Sequence, residues 1–134
     1  MYESFITYLR RISHVSSARK KQRGKNFLEH KEQARRLAKE RIEHFNKMYQ
    51  FEFNRVSIRN QRTRWGSCSS KRNLNFNYKI ALLPLPLADY IIVHELCHLG
   101  EFNHSKKFWE LVAKTIPNHR EIRKVIRKNG ISFY

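Results

Sequence analysis

Acidic residues are scarce in this sequence, because its 134 residues contain 11 Asp and Glu against 28 Lys and Arg, which gives a formal net charge of +17. The basic excess is uneven: residues 1–72 carry 19 basic and six acidic side chains, whereas residues 73–134 carry nine and five. This imbalance indicates an anionic partner, namely nucleic acid, nucleotide or an acidic surface. A solvated helix face together with a flexible basic arm would produce the same composition.

Cysteines and long apolar runs are also lacking. The two cysteines, Cys68 and Cys97, cannot form a disulfide framework and agree with a reducing compartment. The most apolar stretch, residues 80–93, is interrupted by two prolines and an aspartate, and it falls short of the roughly 18 residues that a membrane span needs. The first residues show neither the apolar core nor the small-residue cleavage site of a signal peptide. We therefore expect a soluble, cytoplasmic protein that is not inserted in a membrane.

The chain is long enough for one domain and too short for two comfortable ones. Residues 16–26 contain five basic side chains and one apolar side chain, so they cannot bury a face in a core. We predict that residues 1–26 form a basic N-terminal arm and that residues 27–134 form the folded domain. The arm is the segment that we expect to bind nucleic acid without sequence preference, through charge alone.

The spacing of apolar residues changes along the chain. It is three or four between residues 27 and 49, which predicts a long amphipathic helix. It becomes two around Val56 and Ile58 and again from Leu74 to Ile80, which predicts half-buried strands. Between them, RTRWGSC predicts a further strand, and the polar turn SSKRN folds that strand back onto the one beginning at Leu74. A small antiparallel sheet results.

The second half of the sequence predicts helices. The segment LPLPLAD stops strand pairing and leads into a helix whose first turn carries Asp89, where a carboxylate suits the helix dipole. A second amphipathic helix ends at Pro117, and a short third one ends at Gly130. Together these elements predict an α+β fold, with a small antiparallel sheet, a central helix and flanking helices.

The stretch VHELCHLGEFNHS places three histidines and one glutamate in thirteen residues. On a helix, His94 and His98 lie one turn apart on the same face, so their imidazoles can bind one ion. Glu95 points away from that face and stays close enough to take a proton from water on the ion, which is the role of a general base. A chain reversal after Gly100 would bring His104 over the ion as a third ligand.

Three neutral imidazoles fit Zn²⁺ best, because zinc is tetrahedral and keeps one position open for water, although nickel, copper and iron also accept imidazole. Cys97 lies off the ligand face, and we expect it to pack in the core. Asp89 has a second interpretation, in which it orients a metal-bound imidazole. The other histidines lie in polar or basic surroundings and are expected at the surface: His14, His30, His44 and His119.

The segments RTRWGSCSSKRNLNFN and LPLPLADYIIVHELCHLGEFNHSKKFW closely resemble the YgjP-like family of predicted zinc metallopeptidases, relatives of the WLM and SprT-like zincins. The resemblance covers about residues 55–134. It implies a compact zincin-like fold with an active-site helix under a small sheet. It also implies zinc held by the residues matching His94, His98 and His104, with Glu95 as general base. Members of the family usually carry a longer, strand-rich region ahead of this part.

A water-activating metal centre predicts hydrolysis. The resemblance favours a peptide or protein substrate, which would pair in extended form with an exposed strand edge. We expect that edge on the Asn73, Asn75 and Asn77 side of the last strand, because it is polar and free of proline.

Two alternatives remain open at this point. The first is a metal-dependent nucleotide (phosphoanhydride) hydrolase, because several basic side chains are expected near the site and guanidinium groups suit phosphate oxygens. These side chains are Arg59, Arg62, Arg64, Lys106 and Lys107. The second is a nucleic-acid-associated protein in which the metal centre is secondary.

Overall fold

The computed structural model describes residues 20–128. These residues form, in chain order, helix α1 (Lys20–Tyr49), strands β1 (Arg55–Arg59), β2 (Gly66–Cys68) and β3 (Asn73–Asn77), a 3-10 helix (Tyr78–Leu82), and helices α2 (Leu85–Cys97), α3 (Lys106–Ala113) and α4 (His119–Arg127). This architecture confirms the predicted α+β class, with one small sheet and flanking helices. Within the described residues, no helix is both long and apolar enough to cross a bilayer.

Helix α1 begins at Lys20, seven residues ahead of the predicted start at residue 27. Residues 20–26 are rich in Lys, Arg and Gln, which have high helix propensity. Further along, the apolar stripe packs as predicted, and its most buried members are Ala34, Ala38, Ile42 and Phe45. Residues 1–19 of the predicted arm lie outside the described residues, so the division after residue 26 stays a prediction.

The sheet is mixed, and this corrects the prediction of a purely antiparallel one. Strand β2 pairs antiparallel with β3, with Ser67 opposite Asn75, as the polar turn between them predicts. Strand β1 pairs parallel with β3, with Ser57 opposite the same Asn75. The strand order is β1-β3-β2, so β3 lies in the middle. If each strand paired with the next one in sequence, β2 would lie in the middle and both pairings would be antiparallel. Here the loop after β1 places β2 one strand position further away, and β3 fills the position between them.

One buried side chain holds that loop in place. The Nδ2 atom of Asn77, at the end of β3, donates to the carbonyl oxygens of Gln61 at 2.9 Å and Arg64 at 3.0 Å. Asn77 is fully buried, so these hydrogen bonds satisfy its amide in the interior. The loop between β1 and β2 is therefore tied to the central strand.

Helix α2 is the buried centre of the fold. Residues 87–97 are all buried, as the apolar run ahead of the histidine motif predicts. The helix begins at Leu85, which places Asp89 beyond its first turn and corrects the expected position. The Asp89 carboxylate instead pairs with Arg41 of α1, with Nε 2.7 Å from Oδ1 and Nη2 2.9 Å from Oδ2. This pair joins the two helices.

The chain turns sharply between α2 and α3. Helix α2 ends at Cys97, three residues before the predicted stop at Gly100. The ring of Phe51 packs against the backbone of Gly100, and a Cβ atom at that position would lie 2.6 Å from Cζ of Phe51, so glycine is needed there. At the start of α3, Oγ of Ser105 accepts a hydrogen bond from the amide of Phe108 at 3.3 Å and caps the helix. The predicted stop of the last helix at Gly130 lies outside the described residues.

Candidate metal centre

The structure brings the three histidines of the motif together. The Nε2 atoms of His94 and His98 lie 3.2 Å apart, and Nε2 of His104 lies 3.2 Å from the first and 3.1 Å from the second. A tetrahedral zinc with Zn–N bonds of about 2.0–2.1 Å separates its nitrogen ligands by about 3.3 Å. The three side chains therefore have the spacing to hold one metal ion. In residues 20–128, no other three His, Cys, Asp or Glu side chains converge in this way.

Two of the rings are oriented by hydrogen bonds at their other nitrogen. Nδ1 of His98 lies 3.0 Å from the carbonyl oxygen of Glu101, so it carries the proton and donates it. Nδ1 of His94 lies 3.4 Å from the hydroxyl of Tyr90, one helical turn earlier. The carbonyl partner of His98 fixes the tautomer in which Nε2 can bind a metal, and the hydroxyl of Tyr90 orients the ring of His94. The sequence interpretation did not identify either partner, although the four-residue spacing from Tyr90 to His94 was available as a signal.

Aromatic rings of α3 pack against the histidines. Phe108, which is fully buried, stacks on His98 with ring centroids 4.4 Å apart and an angle of 16° between the planes. Trp109 lies parallel to His104 with centroids 5.9 Å apart. Two neighbouring residues of α3 thus pack aromatic rings against the histidine cluster, which limits the rotation of His98 and His104.

Burial keeps the imidazoles neutral. It is the main cause that lowers the pKa of His94 to about 2, and electrostatic interactions with His98, His104 and Arg123 act in the same direction. Burial also lowers the pKa of His98 and of the more exposed His104. Metals bind the neutral form of histidine, so this environment prepares all three rings as ligands near pH 7.

Glu95 is completely buried beside the cluster. Its Oε1 atom lies 3.9 Å from Nε2 of His94, but the carboxylate does not belong to the converging set of ligand atoms. The carboxylate packs under β2: a Cβ atom on Gly66 would lie 3.0 Å from Cγ of Glu95 and 2.9 Å from the carbonyl oxygen of Asn75. Glycine at position 66 therefore allows the strand to approach the glutamate.

The structure separates other candidate residues from the cluster. Asp89 binds Arg41, so the interpretation in which it orients an imidazole is wrong for this arrangement. Cys97 is fully buried in the core, as expected, and burial raises the pKa of its thiol to about 12. Among the remaining histidines, His44 is exposed, as expected, and His30 is half-buried. His14 lies outside the described residues.

His119 is closer to the site than the sequence suggests. Its ring stacks on Trp109 with centroids 5.1 Å apart, and Trp109 in turn faces His104. The guanidinium carbon of Arg123 lies 4.8 Å from the centre of the Trp109 ring. The spacing of four residues between His119 and Arg123 on one short helix was the available signal for this arrangement.

The basic residues singled out from the sequence are all exposed, namely Arg59, Arg62, Arg64, Lys106 and Lys107. The Nε atom of Arg59 lies 3.5 Å from Oδ1 of Asn75, on the polar side of the sheet. The prediction of a free strand edge beside the asparagines of β3 is wrong, because β3 has a paired strand on each side. The strand that lies at the sheet edge and against Glu95 is β2.

Comparison with known proteins agrees with this geometry. The family model described as YgjP-like, metallopeptidase domain, matches residues 4–129, which extends well ahead of the part that shows the resemblance in sequence. The solved structures include a similar one, the metallopeptidase zymogen abylysin of Pyrococcus abyssi, with a TM-score of 0.62 and 25% sequence identity. That similarity covers 68% of this chain and 92% of the abylysin chain. No curated protein sequence matches the chain.

Proposed function

The chain belongs to the YgjP-like metallopeptidase family, and from that premise we propose that it is a zinc-dependent peptidase with a single active site. His94, His98 and His104 would hold the ion. The observation that carries this proposal is the convergence of their three Nε2 atoms, each 3.1 to 3.2 Å from the others. Their neutral rings, buried at His94 and His98 and exposed at His104, are a donor set that fits zinc.

When bound, zinc supplies a Lewis acid that polarises a carbonyl group and activates a water for hydrolysis. The chain's own contribution to the proton transfer comes from Glu95. Its carboxylate accepts the proton of the attacking water and passes it to the nitrogen of the departing amine. Its position supports this role, because Oε1 lies 3.9 Å from Nε2 of His94 without belonging to the ligand set.

Strand β2 offers a binding edge for an extended peptide. The carbonyl oxygen of Trp65 accepts from the amide of Asn77 at 2.8 Å, and the amide of Ser69 donates to Asn73 at 3.0 Å, so both groups face β3. Backbone groups alternate along a strand, so the N–H and C=O groups of Gly66 and Cys68 face the opposite edge, which no strand of residues 20–128 covers. A peptide paired with that edge runs past Gly66, and therefore past Glu95.

The experiment that tests the proposal offers two substrate classes in parallel. Zinc-loaded protein is incubated with unfolded proteins of the casein type and, separately, with a panel of nucleoside triphosphates. We expect cleavage of unfolded protein that is lost in Glu95→Gln. In a variant with Arg62, Arg64 and Lys106 changed to Gln, cleavage should stay within about threefold, because a peptide that pairs with a strand edge needs no cluster of cations.

The opposite result would establish the nucleotide hydrolase instead. In that case the protein cleaves a triphosphate, the triple variant loses this activity because the cations bind phosphate, and every unfolded protein stays intact. Absence of hydrolysis in both panels, together with nucleic-acid binding, would favour the nucleic-acid-associated protein with a secondary metal centre.

A further inference from the structure

The part of the chain that forms the sheet has no acidic residue. Residues 53–88 contain seven Lys and Arg and no Asp or Glu, whereas the rest of the chain mixes 21 basic with 11 acidic side chains. Charges of one sign are therefore concentrated on the strands and their loops, while the helices carry both signs. A surface formed by residues 53–88 therefore has a positive electrostatic potential, because the segment contains no acidic side chain to neutralise its Lys and Arg.

The register of the strands places these charges on one side of the sheet. Leu74 and Phe76 point to the interior and are fully buried. Because side chains alternate, the other side carries a set that we call the polar sheet face: Arg55, Ser57, Arg59, Ser67, Asn73 and Asn75. Its two arginines are exposed and lie about 13 Å apart along β1, at about 3.3 Å per residue.

The loop after β1 extends this surface. Arg62 is exposed on that loop, which the buried amide of Asn77 ties to the end of β3. In residues 20–128, the arginines at 55, 59 and 62 have no carboxylate within ion-pair distance. Other arginines do have one, since Arg35 pairs with Glu32 and Arg41 with Asp89. Within the described residues, these three arginines therefore carry positive charge that no carboxylate neutralises.

We propose that the polar sheet face, extended by Arg62, binds the sugar-phosphate backbone of a nucleic acid. Guanidinium groups bind phosphate oxygens through two hydrogen bonds, and Asn and Ser side chains are common partners of phosphate and sugar. The face carries no aromatic side chain on which a base could stack, so binding is indifferent to sequence. It also carries no exposed apolar side chain, which an acidic protein partner would use as an anchor.

This surface is distinct from the proposed peptidase site. The polar sheet face lies on the side of the sheet opposite Leu74 and Phe76, whereas Glu95 packs against Gly66 on the inner side. The two proposals can therefore fail separately. Loss of nucleic-acid binding leaves the metal centre in place, and loss of zinc leaves the arginines of the sheet unchanged.

The test measures binding of a fluorescent, mixed-sequence 20-nucleotide single strand to the full chain at several salt concentrations. The face variant changes Arg55, Arg59 and Arg62 to Gln. The matched control changes three exposed cations on or next to the helices, Arg36, Lys124 and Lys128, to Gln, so that both variants lose three charges. A third variant neutralises the basic residues between positions 19 and 25, which separates the predicted arm from the sheet.

We expect the face variant to bind at least tenfold more weakly at 50 mM salt, and the control to stay within about threefold. The slope of log affinity against log salt should fall by about 2 in the face variant, because each lost phosphate contact on a single strand removes about 0.7. Changing the same three residues to Lys keeps the charge but loses the paired hydrogen bonds of the guanidinium groups, so it should restore the salt dependence and only part of the affinity. Thermal unfolding and casein cleavage should match the unchanged protein in every variant.

Several results would overturn the proposal. Equal losses in the face and control variants would show that net charge alone attracts the strand. Loss confined to the third variant would assign the binding to the arm. Binding of polyglutamate that depends on the three arginines, without binding of the oligonucleotide, would identify an acidic protein as the partner.

Discussion

Arg41 of α1 and Asp89 of α2 form an ion pair with two contacts, 2.7 Å between Nε and Oδ1 and 2.9 Å between Nη2 and Oδ2. The two side chains are 24% and 12% exposed, so the pair is largely shielded from water. Its residues are 48 positions apart in sequence, and it fixes the buried central helix against the long first helix. Asp89 therefore acts on the packing of α2 and not on an imidazole of the candidate metal centre.

Replacement of Asp89 by Asn should lower the free energy of unfolding by about 1 to 3 kcal/mol, because Arg41 loses its charged partner in a shielded place. Zinc affinity should change by less than about threefold. By contrast, changing a residue that orients a metal ligand typically lowers metal affinity 10 to 100-fold. Urea unfolding and competition with a chelator measure the two quantities, and a tenfold loss of zinc affinity at unchanged stability would contradict the packing role.

Replacement of Glu95 by Gln should lower turnover of an unfolded protein by about 10² to 10⁴-fold, the usual contribution of a general base. The amide has nearly the same shape, so the zinc content should remain at the level of the unchanged protein. Turnover and elemental analysis on the same preparation check both statements. Normal turnover would remove Glu95 from the mechanism, and loss of zinc would make it a ligand.

Replacement of Gly66 by Ala should reduce activity without removing zinc. The added Cβ would lie 3.0 Å from Cγ of Glu95 and 2.9 Å from the carbonyl oxygen of Asn75, so either the glutamate or the edge strand has to move. We expect a loss of at least tenfold in turnover and about 1 to 3 kcal/mol in stability, as for overpacked cores. Ser67→Ala, on the next residue and the opposite side of the sheet, is the control and should retain turnover within about twofold.

The stability of the metal-free protein should fall as the pH is lowered from 7.5 to 5.5. The pKa of His94 is lowered to about 2 in the folded protein, mainly by burial, from the ordinary value of 6.5. Below pH 6.5 the unfolded chain therefore binds a proton that the folded chain does not, and acid favours unfolding by up to about 1.4 kcal/mol per pH unit. The lowered pKa values of His98 and His104 act in the same direction.

Urea unfolding in the presence of a chelator measures this pH dependence. His94→Gln should make the curve shallower between pH 7.5 and 5.5, whereas His44→Gln, at an exposed position, should leave it unchanged. A curve of the same steepness in the first variant would show that other groups cause the acid sensitivity.

The candidate site was predictable because its residues are close in sequence. His94, Glu95 and His98 lie on a single turn of helix, and His104 follows within one short reversal, so local geometry determines their placement. The β2–β3 hairpin was predictable for the same reason, since a polar turn joins its two strands. The resemblance to YgjP-like metallopeptidases seen in the sequence is confirmed by the family match over residues 4–129.

The features that could not be predicted depend on contacts between distant segments. The pairing of β1 with β3 is parallel because β3, and not β2, lies in the middle of the sheet. The alternation of apolar residues is the same whichever strand is central, so it could not distinguish the two strand orders. The correct free edge, on β2, was missed for that reason. The partner of Asp89 likewise arises from packing between helices whose paired residues are 48 positions apart. The position of Arg123 above Trp109 depends on the angle at which α4 packs on α3, which the sequence pattern does not specify.

A zinc titration of the metal-free protein, followed by cleavage of unfolded casein, tests the proposed zinc peptidase most directly. We expect activity to rise in proportion to added zinc and to stop rising at about one equivalent per chain, because a single set of three histidines converges in the described part of the chain. The combined change of His94 and His98 to Ala should abolish the rise. Casein cleavage without zinc, or no cleavage at any zinc concentration, would contradict the proposal.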